Sequence, residues 1–265
     1  MIKQPPPFCI QVELTEGCNL ACSFCGIAGI RDNGANGPKD IRGKNSHPYK
    51  FLSLANAKVL AEKIVEARQE HKWNPRIEMA MHGEPTMNPE YKEIVQTLRE
   101  YLPTTHLQMT TNGGGLLRGD LSENIDDLMK AGLNVLLLDN YEGIKICDKV
   151  RSNYEGPHPL FEYPSNKKAN PHRRRKPTDH DIVVTQDIST ASQGNHSTLN
   201  NHAGSAYPEN DRAEGRRCAK VFREVSIRWD GSIAICCNDW PEFYQCGSAF
   251  SSTSLEDIWQ GGALR

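Results

Sequence analysis

Apolar and polar positions alternate along Ile10-Gln11-Val12-Glu13-Leu14, a period of two that predicts a first strand. Beyond Ser53, which has the side chain of an N-cap, the period lengthens. Leu54, Val59, Leu60, Ile64, Val65 and Ala67 recur at helical spacing and predict a helix of about four turns. The two periods then take turns. Pro75 to Met81 reads as a second strand, Tyr91, Ile94, Val95, Leu98 and Leu102 as a helical stripe closed by Pro103, and His106 to Thr110 as a third strand. Ile125, Leu128, Met129 and Leu133 mark a third helix with Gly132 near its end. Asn134 to Leu138 is a nearly continuous apolar run, which suits a strand buried on both faces. Ile144, Ile146, Cys147 and Val150 predict a fourth helix, and Leu160–Tyr163 and Asp181–Thr185 a fifth and a sixth strand.

Strands alternating with helices over short links predict an α/β fold with a parallel sheet and right-handed crossovers. Six strands fall short of the eight that close a (β/α)8 barrel, so an open partial barrel is expected. The stretch from Gly26 to Lys50 is rich in Gly, Asn, Asp and Lys and reads as a loop, and Tyr163 to Arg217 is polar and weakly patterned. The pattern returns at Val221–Trp229 and Ser232–Ile235, which flank Asp230-Gly231 and predict a hairpin with a type I′ turn. Leu255, Ile258 and Trp259 form one short amphipathic turn after it.

A chain of 265 residues with 37% hydrophobic content and a net charge of -2 has an ordinary soluble balance that favours neither nucleic acid nor membrane. Met1 to Phe8 carries one lysine and three consecutive prolines and does not read as a targeting sequence. Nine cysteines, an odd count with no apolar signal segment, point to metal rather than disulfides and to a cytoplasmic protein. Cys9, Cys18, Cys22 and Cys25 lie at the front, Cys147 alone in the middle, and Cys218, Cys236, Cys237 and Cys246 at the back, so two iron-sulfur sites are expected.

Cys18, Cys22 and Cys25 follow the first strand in a C-x3-C-x2-C spacing. Three thiolates on a four-iron cluster leave one iron without a protein ligand, and chemistry can happen there. A structural zinc site would want paired C-x2-C arms or a nearby fourth ligand, whereas the nearest downstream histidine is His47. Further polar groups end the predicted strands: His82-Gly83-Glu84-Pro85, Thr111-Asn112-Gly113 and Asp139-Asn140. Active sites of parallel α/β folds lie outside these carboxyl ends. Cys9 and Cys147 read as buried small hydrophobes, with a hydrogen-donor role as the alternative.

The cysteine loop, with aromatic Phe24 before its last cysteine, resembles the radical S-adenosylmethionine (radical SAM) enzymes over Ile10 to about Ser189. Gly83-Glu84-Pro85 is similar to that family's GGEP motif, with His82 in place of its first glycine. The resemblance implies a partial (β/α)6 barrel over residues 1–190, a SAM cofactor bound beside a 4Fe-4S cluster, and cofactor contacts at Phe24, Gly83, Glu84, Pro85, Thr111, Asn112, Asp139 and Asn140. The back cysteines, with Gly231-x4-Cys236 and Leu255-Glu256-Asp257-Ile258-Trp259, resemble the auxiliary-cluster extensions called SPASM and Twitch. That implies a small iron-sulfur domain over 218–265, holding a second 4Fe-4S cluster on Cys218, Cys236, Cys237 and Cys246, after a linker over 191–217. Zinc is the competing occupant.

The implied reaction is reductive cleavage of SAM to a 5′-deoxyadenosyl radical that takes a hydrogen atom from a small polar substrate, leading to oxidation or rearrangement. A flavodoxin or ferredoxin would supply the electron. The basic run Lys167 to Lys176 reads as a solvated loop, or as a phosphate-binding loop that makes a nucleotide or nucleic-acid base the rival substrate. Asn200 to Gly204 resembles a segment found upstream of SPASM-type domains. Peptide modification, glycyl-radical activation and a non-catalytic electron carrier remain as alternatives.

Overall fold

The computed structural model describes residues 3–20, 22, 25–26, 49–141, 144–162, 179–187, 218–240 and 242–261. Eleven strands occur among them: β1 Cys9–Val12, β2 Thr15–Glu16, β3 Lys50–Phe51, β4 Arg76–Met79, β5 Leu107–Thr111, β6 Val135–Asn140, β7 Leu160–Glu162, β8 Asp181–Asp187, β9 Glu224–Ile227, β10 Ser232–Ala234 and β11 Gln245–Ser248. The helices are α1 Leu54–His71, α2 Tyr91–Tyr101, α3 Leu121–Lys130, α4 Ile146–Asn153 and α5 Leu255–Gly261.

Nine strands form one sheet in the order β11-β10-β9-β1-β4-β5-β6-β8-β7. From β9 to β7 every pairing is parallel. The expected α/β architecture with an open parallel sheet is what the chain builds, and β11 and β7 stay as its two ends. β8 pairs directly with β6, and β7, earlier in sequence, lies outside β8 at the edge. The last two parallel strands are therefore inverted relative to chain order. Burial accounts for this: Ile182, Val183 and Val184 are fully enclosed, which suits an inner strand, whereas Leu160 is 39% exposed.

The predicted first strand divides. β1 ends at Val12, and Thr15-Glu16 leaves the sheet to pair with Lys50-Phe51. The helix after Ser53 forms as expected, with the Ser53 hydroxyl accepting from the Asn56 N–H at 3.2 Å. Its buried face is Ala57, Leu60, Ala61, Ile64 and Ala67, whereas Val59 points outward. α1 packs on α2, α2 on α3, and α3 on α4, covering a core that runs through Ile10, Ile77, Met109, Leu136 and Ile182.

The Asp230-Gly231 hairpin forms, but its turn is not type I′. Only Gly231 takes a positive φ, 83°, and its N–H donates to the Arg228 carbonyl at 2.9 Å while the Arg228 N–H donates to Ser232 O. That is a three-residue loop with glycine at the left-handed position. Asp230 instead uses its carboxylate to accept from the Ser232 N–H at 3.0 Å and the Ser232 hydroxyl at 2.7 Å, which holds it on the negative-φ side.

The C-terminal residues are built into the main sheet. β9 pairs with β1 in register from Cys9–Glu224 to Val12–Ile227. α5 closes the opposite end: Trp73 donates its indole N–H to Glu256 at 2.7 Å and meets Trp259 edge-on, while Trp259 donates to Pro5 O at 2.9 Å. Among the described residues no helix is long and apolar enough to cross a membrane.

Candidate active site

Every strand-end motif singled out in the sequence comes to the same end of the sheet, and the carboxylate of Glu84 ties several together. Glu84 is 3% exposed. Its Oε1 accepts from the Thr86 N–H at 3.0 Å, the Thr86 hydroxyl at 2.6 Å and the Thr111 hydroxyl, and its Oε2 accepts from the Asn112 N–H at 2.7 Å. Burial pushes its pKa up, against the downward pull of the Thr111, Thr86 and Asn112 donors. The Glu84 side chain is thus the internal clamp between the ends of β4 and β5.

Its backbone faces the cysteine loop. The Glu84 N–H donates to Gly17 O at 2.9 Å. A Cβ on Gly83 would run into the carbonyl oxygens of Thr15 and Gly17, so only glycine lets the two segments touch. Pro85 opens the buried 3₁₀ turn Pro85–Met87 behind them. Asn112 completes the link from β5: its amide donates to Asn19 Oδ1 at 3.1 Å and lies 3.4 Å from Cys18 Sγ. The chain turns at Met81, whose φ of 91° is sparsely populated for a non-glycine residue.

Cys18, Cys22 and Cys25 share one neighbourhood, and Cys25 N–H donates to Cys22 O at 3.0 Å. Burial, the charge of Glu84 and the two other thiols push the Cys18 thiol up, against the pull of the Leu20 N–H. Among the described residues no three His, Cys, Asp or Glu side chains already converge as a closed metal-ligand set. The residue types fit a cluster: three thiols within one short stretch, the Asn112 amide 3.4 Å from Cys18 Sγ, and the backbone of Gly83 packed against that stretch at Gly17.

The other expected contacts fall variously. Thr111 spends its hydroxyl on Glu84, and Asn140 is buried with its Oδ1 accepting from Cys147 N–H at 2.7 Å, so it caps the start of α4. Asp139 sits at an irregularity in the pairing of β6 with β8. Cys147 is fully buried, its thiol 3.2 Å from Leu138 O, and Cys9 is a buried residue of β1. Phe24, Lys167 to Lys176, Asn200 to Gly204 and the linker over 191–217 lie outside the described residues.

At the second cysteine group, Cys236 and Cys237 end the hairpin side by side. The Cys237 thiol holds Cys236 down, the neighbouring Asn238 N–H and Lys220 adding to the effect, while Cys237 is pushed up by Cys236 and by burial. Lys220 Nζ lies 3.6 Å from Cys237 Sγ. Cys218 is exposed and Cys246 half-buried on β11.

Three residues at the site carried no sequence signal, Tyr141, Arg228 and Trp240, and a fourth, His82, carried one only as a departure from the motif. Burial, then the charges of Asp139, Cys25 and Cys22, push the Tyr141 phenol up. His82 is buried with Nδ1 3.0 Å from Glu13 Oε1 and Nε2 2.7 Å from Cys237 O. A glycine is expected there from the motif, so the histidine could be noticed as a departure but its partners could not.

The model of the radical SAM superfamily matches residues 12–139. Residues 12–139 are therefore a radical SAM domain. A second family model, described as an iron-sulfur cluster-binding domain, SPASM, matches residues 218–265. The two matches give this chain a radical SAM domain ahead of an iron-sulfur cluster-binding domain, and the cofactors these domains imply are SAM, a 4Fe-4S cluster and an auxiliary iron-sulfur cluster.

Among curated radical SAM proteins it is similar to a GTP 3',8-cyclase of Pectobacterium atrosepticum, 25% identical over 155 residues, covering 58% of this chain and 42% of that protein. A GTP 3',8-cyclase of Haemophilus ducreyi is 29% identical over 104 residues, covering 39% of this chain and 25% of that protein. The chain thus spans less than half the length of these relatives. Among solved structures, BtrN in complex with AdoMet and 2-DOIA shares the fold with a TM-score of 0.66 and 17% identity, over 97% of this chain and 83% of that one. BtrN in an open conformation matches with a TM-score of 0.56 over 98% of this chain and 81% of that one.

Proposed function

We propose that this enzyme cleaves SAM reductively and uses the resulting 5′-deoxyadenosyl radical to take a hydrogen atom from a small polar substrate, leading to its oxidation or rearrangement. The observation that carries the reading is the junction of Gly83, Glu84 and Asn112 with the cysteine loop, because it brings the ends of β4 and β5 against Gly17, Cys18 and Asn19. Cys18, Cys22 and Cys25 hold the first cluster. The backbone of Gly83 to Pro85 meets the methionine end of SAM, with Asp139 at its ribose and Phe24 as a further cofactor contact. Thr111 and Asn140 act behind the wall, through Glu84 and the α4 cap. Cys218, Cys236, Cys237 and Cys246 hold the auxiliary cluster within residues 218–265, a domain defined by its ligands although its strands extend the main sheet.

The near-complete coverage by BtrN, solved with 2-DOIA, supports a small polar substrate. A nucleotide is the second reading, favoured by the two GTP 3',8-cyclases among the relatives. A cytoplasmic flavodoxin or ferredoxin would supply the electron. The test is anaerobic reconstitution with iron and sulfide, reduction, and incubation with SAM and candidates beginning with 2-DOIA and GTP. Formation of 5′-deoxyadenosine that rises with one candidate, and carries deuterium from it, identifies the substrate class. No 5′-deoxyadenosine under any condition would refute the reading.

A further inference from the structure

Trp240 belongs to the C-terminal cysteine segment, yet it packs against Cys18 and Cys25 of the front loop and is 3% exposed. The contact reaches one residue further. A Cβ built on Gly26 would lie 2.8 Å from indole Cδ2 and 3.1 Å from Cε3, so the residue after Cys25 must be glycine for the ring to lie where it does.

The indole is held in place by a buried polar frame. The His82 ring lies 4.2 Å from it, centroid to centroid, tilted by 42°. Arg228, 1% exposed, donates to the carbonyl of Asp239, the residue before Trp240, and its Nη1 is 3.2 Å from His82 Nδ1 and 3.3 Å from Glu242 Oε1. Asp239 in turn accepts from the N–H groups of Phe243 at 3.1 Å and Tyr244 at 2.9 Å. His82 Nε2 reaches the carbonyl of Cys237. Residues 236–240 and 242–244 are therefore tied back to this frame, and the indole is their point of contact with the front cysteines.

We infer that Trp240 is a positioning residue of the first iron-sulfur site: its indole, braced by His82 and Arg228, is the wall that keeps water and oxygen from the Cys18–Cys25 side of the cluster. The inference rests on the functional reading above. Packed aromatic area excludes solvent where a smaller residue leaves a gap. Reduction adds negative charge to a thiolate-held cluster, and water stabilises the more highly charged state, so opening the wall raises the potential.

The experiment uses anaerobically reconstituted full-length protein as wild type, Trp240→Ala, Trp240→Leu and Gly26→Ala. The reduced-state EPR signal that changes on adding SAM marks the first cluster, and its potential and its lifetime in air are measured. In Trp240→Ala that cluster should bleach several-fold faster and titrate at a higher potential, with Trp240→Leu intermediate. Gly26→Ala, which displaces the ring, should behave like Trp240→Ala. If the alanine variant at 240 does not fold, Trp240→Leu and Gly26→Ala decide. Wild-type potential and lifetime in the folded variants would overturn the inference alone. Wild-type protein with no SAM-responsive signal would overturn the functional reading and the inference with it.

Discussion

Replacing Glu84 by glutamine tests whether the clamp between β4 and β5 depends on a carboxylate. The amide oxygen can take the place of Oε1 and accept from Thr86 and Thr111, but the amide nitrogen then faces the Asn112 N–H that now donates to Oε2 at 2.7 Å. The bond from the Asn112 N–H is lost and that buried N–H is left facing a donor. Relief from burying a charge offsets part of this, leaving a net cost of about 1–3 kcal/mol. For a chain of this size that is roughly 2–12 °C in Tm, measured by anaerobic thermal unfolding.

The pH dependence has a defined sign. Burial raises the folded pKa above the ordinary 4.5, so between those values the unfolded chain ionises while the folded one keeps its proton. Wild-type stability contributed by this group therefore falls as pH rises through that window, by at most about 1.4 kcal/mol per unit, and the glutamine variant lacks the slope. The deficit of Glu84→Gln should be largest near the acidic end and shrink with rising pH. A variant within about 0.5 kcal/mol of wild type, with a parallel pH profile, would refute the clamp.

Cys22→Ala should lower reconstituted iron from about eight to about four per chain and remove the SAM-responsive EPR signal, whereas Cys236→Ala should retain that signal. Asn88→Ala leaves Leu14 O and Leu52 O without the amide that now donates at 2.8 and 2.9 Å. It should cost about 2–4 kcal/mol of stability and loosen the segment leading into the cysteine loop. Ser53→Ala removes the α1 cap and should cost about 1 kcal/mol by the same unfolding assay.

The parallel sheet and its strand-end motifs were legible because hydrophobic period and polar punctuation are local properties of the chain. Leu107–Thr111 and Val135–Asn140 form close to where the pattern puts them. The partners of β7 and β8 were not legible, since the choice between inner and edge strand depends on which apolar run gains more burial in the assembled sheet. Gly83 was visible as a motif. The full set of four donors to Glu84 was not, because two of them come from Thr111 and Asn112, which meet it only after folding. Trp240 gave no periodic signal at all, standing alone in a polar run whose meaning depends on Gly26, more than two hundred residues earlier.

The parallel pairing of β9 with β1 also sets an order of events during synthesis. Cys9 to Val12 leaves the ribosome more than two hundred residues ahead of its partner, Glu224 to Ile227. Until then β1 has only β4 beside it and keeps one open edge, the kind of exposed strand that invites pairing with the wrong chain. The same delay leaves the front cysteines without Trp240. Iron loaded onto a nascent chain would therefore meet an unsealed site, so productive cofactor insertion is best timed after the last strand has docked.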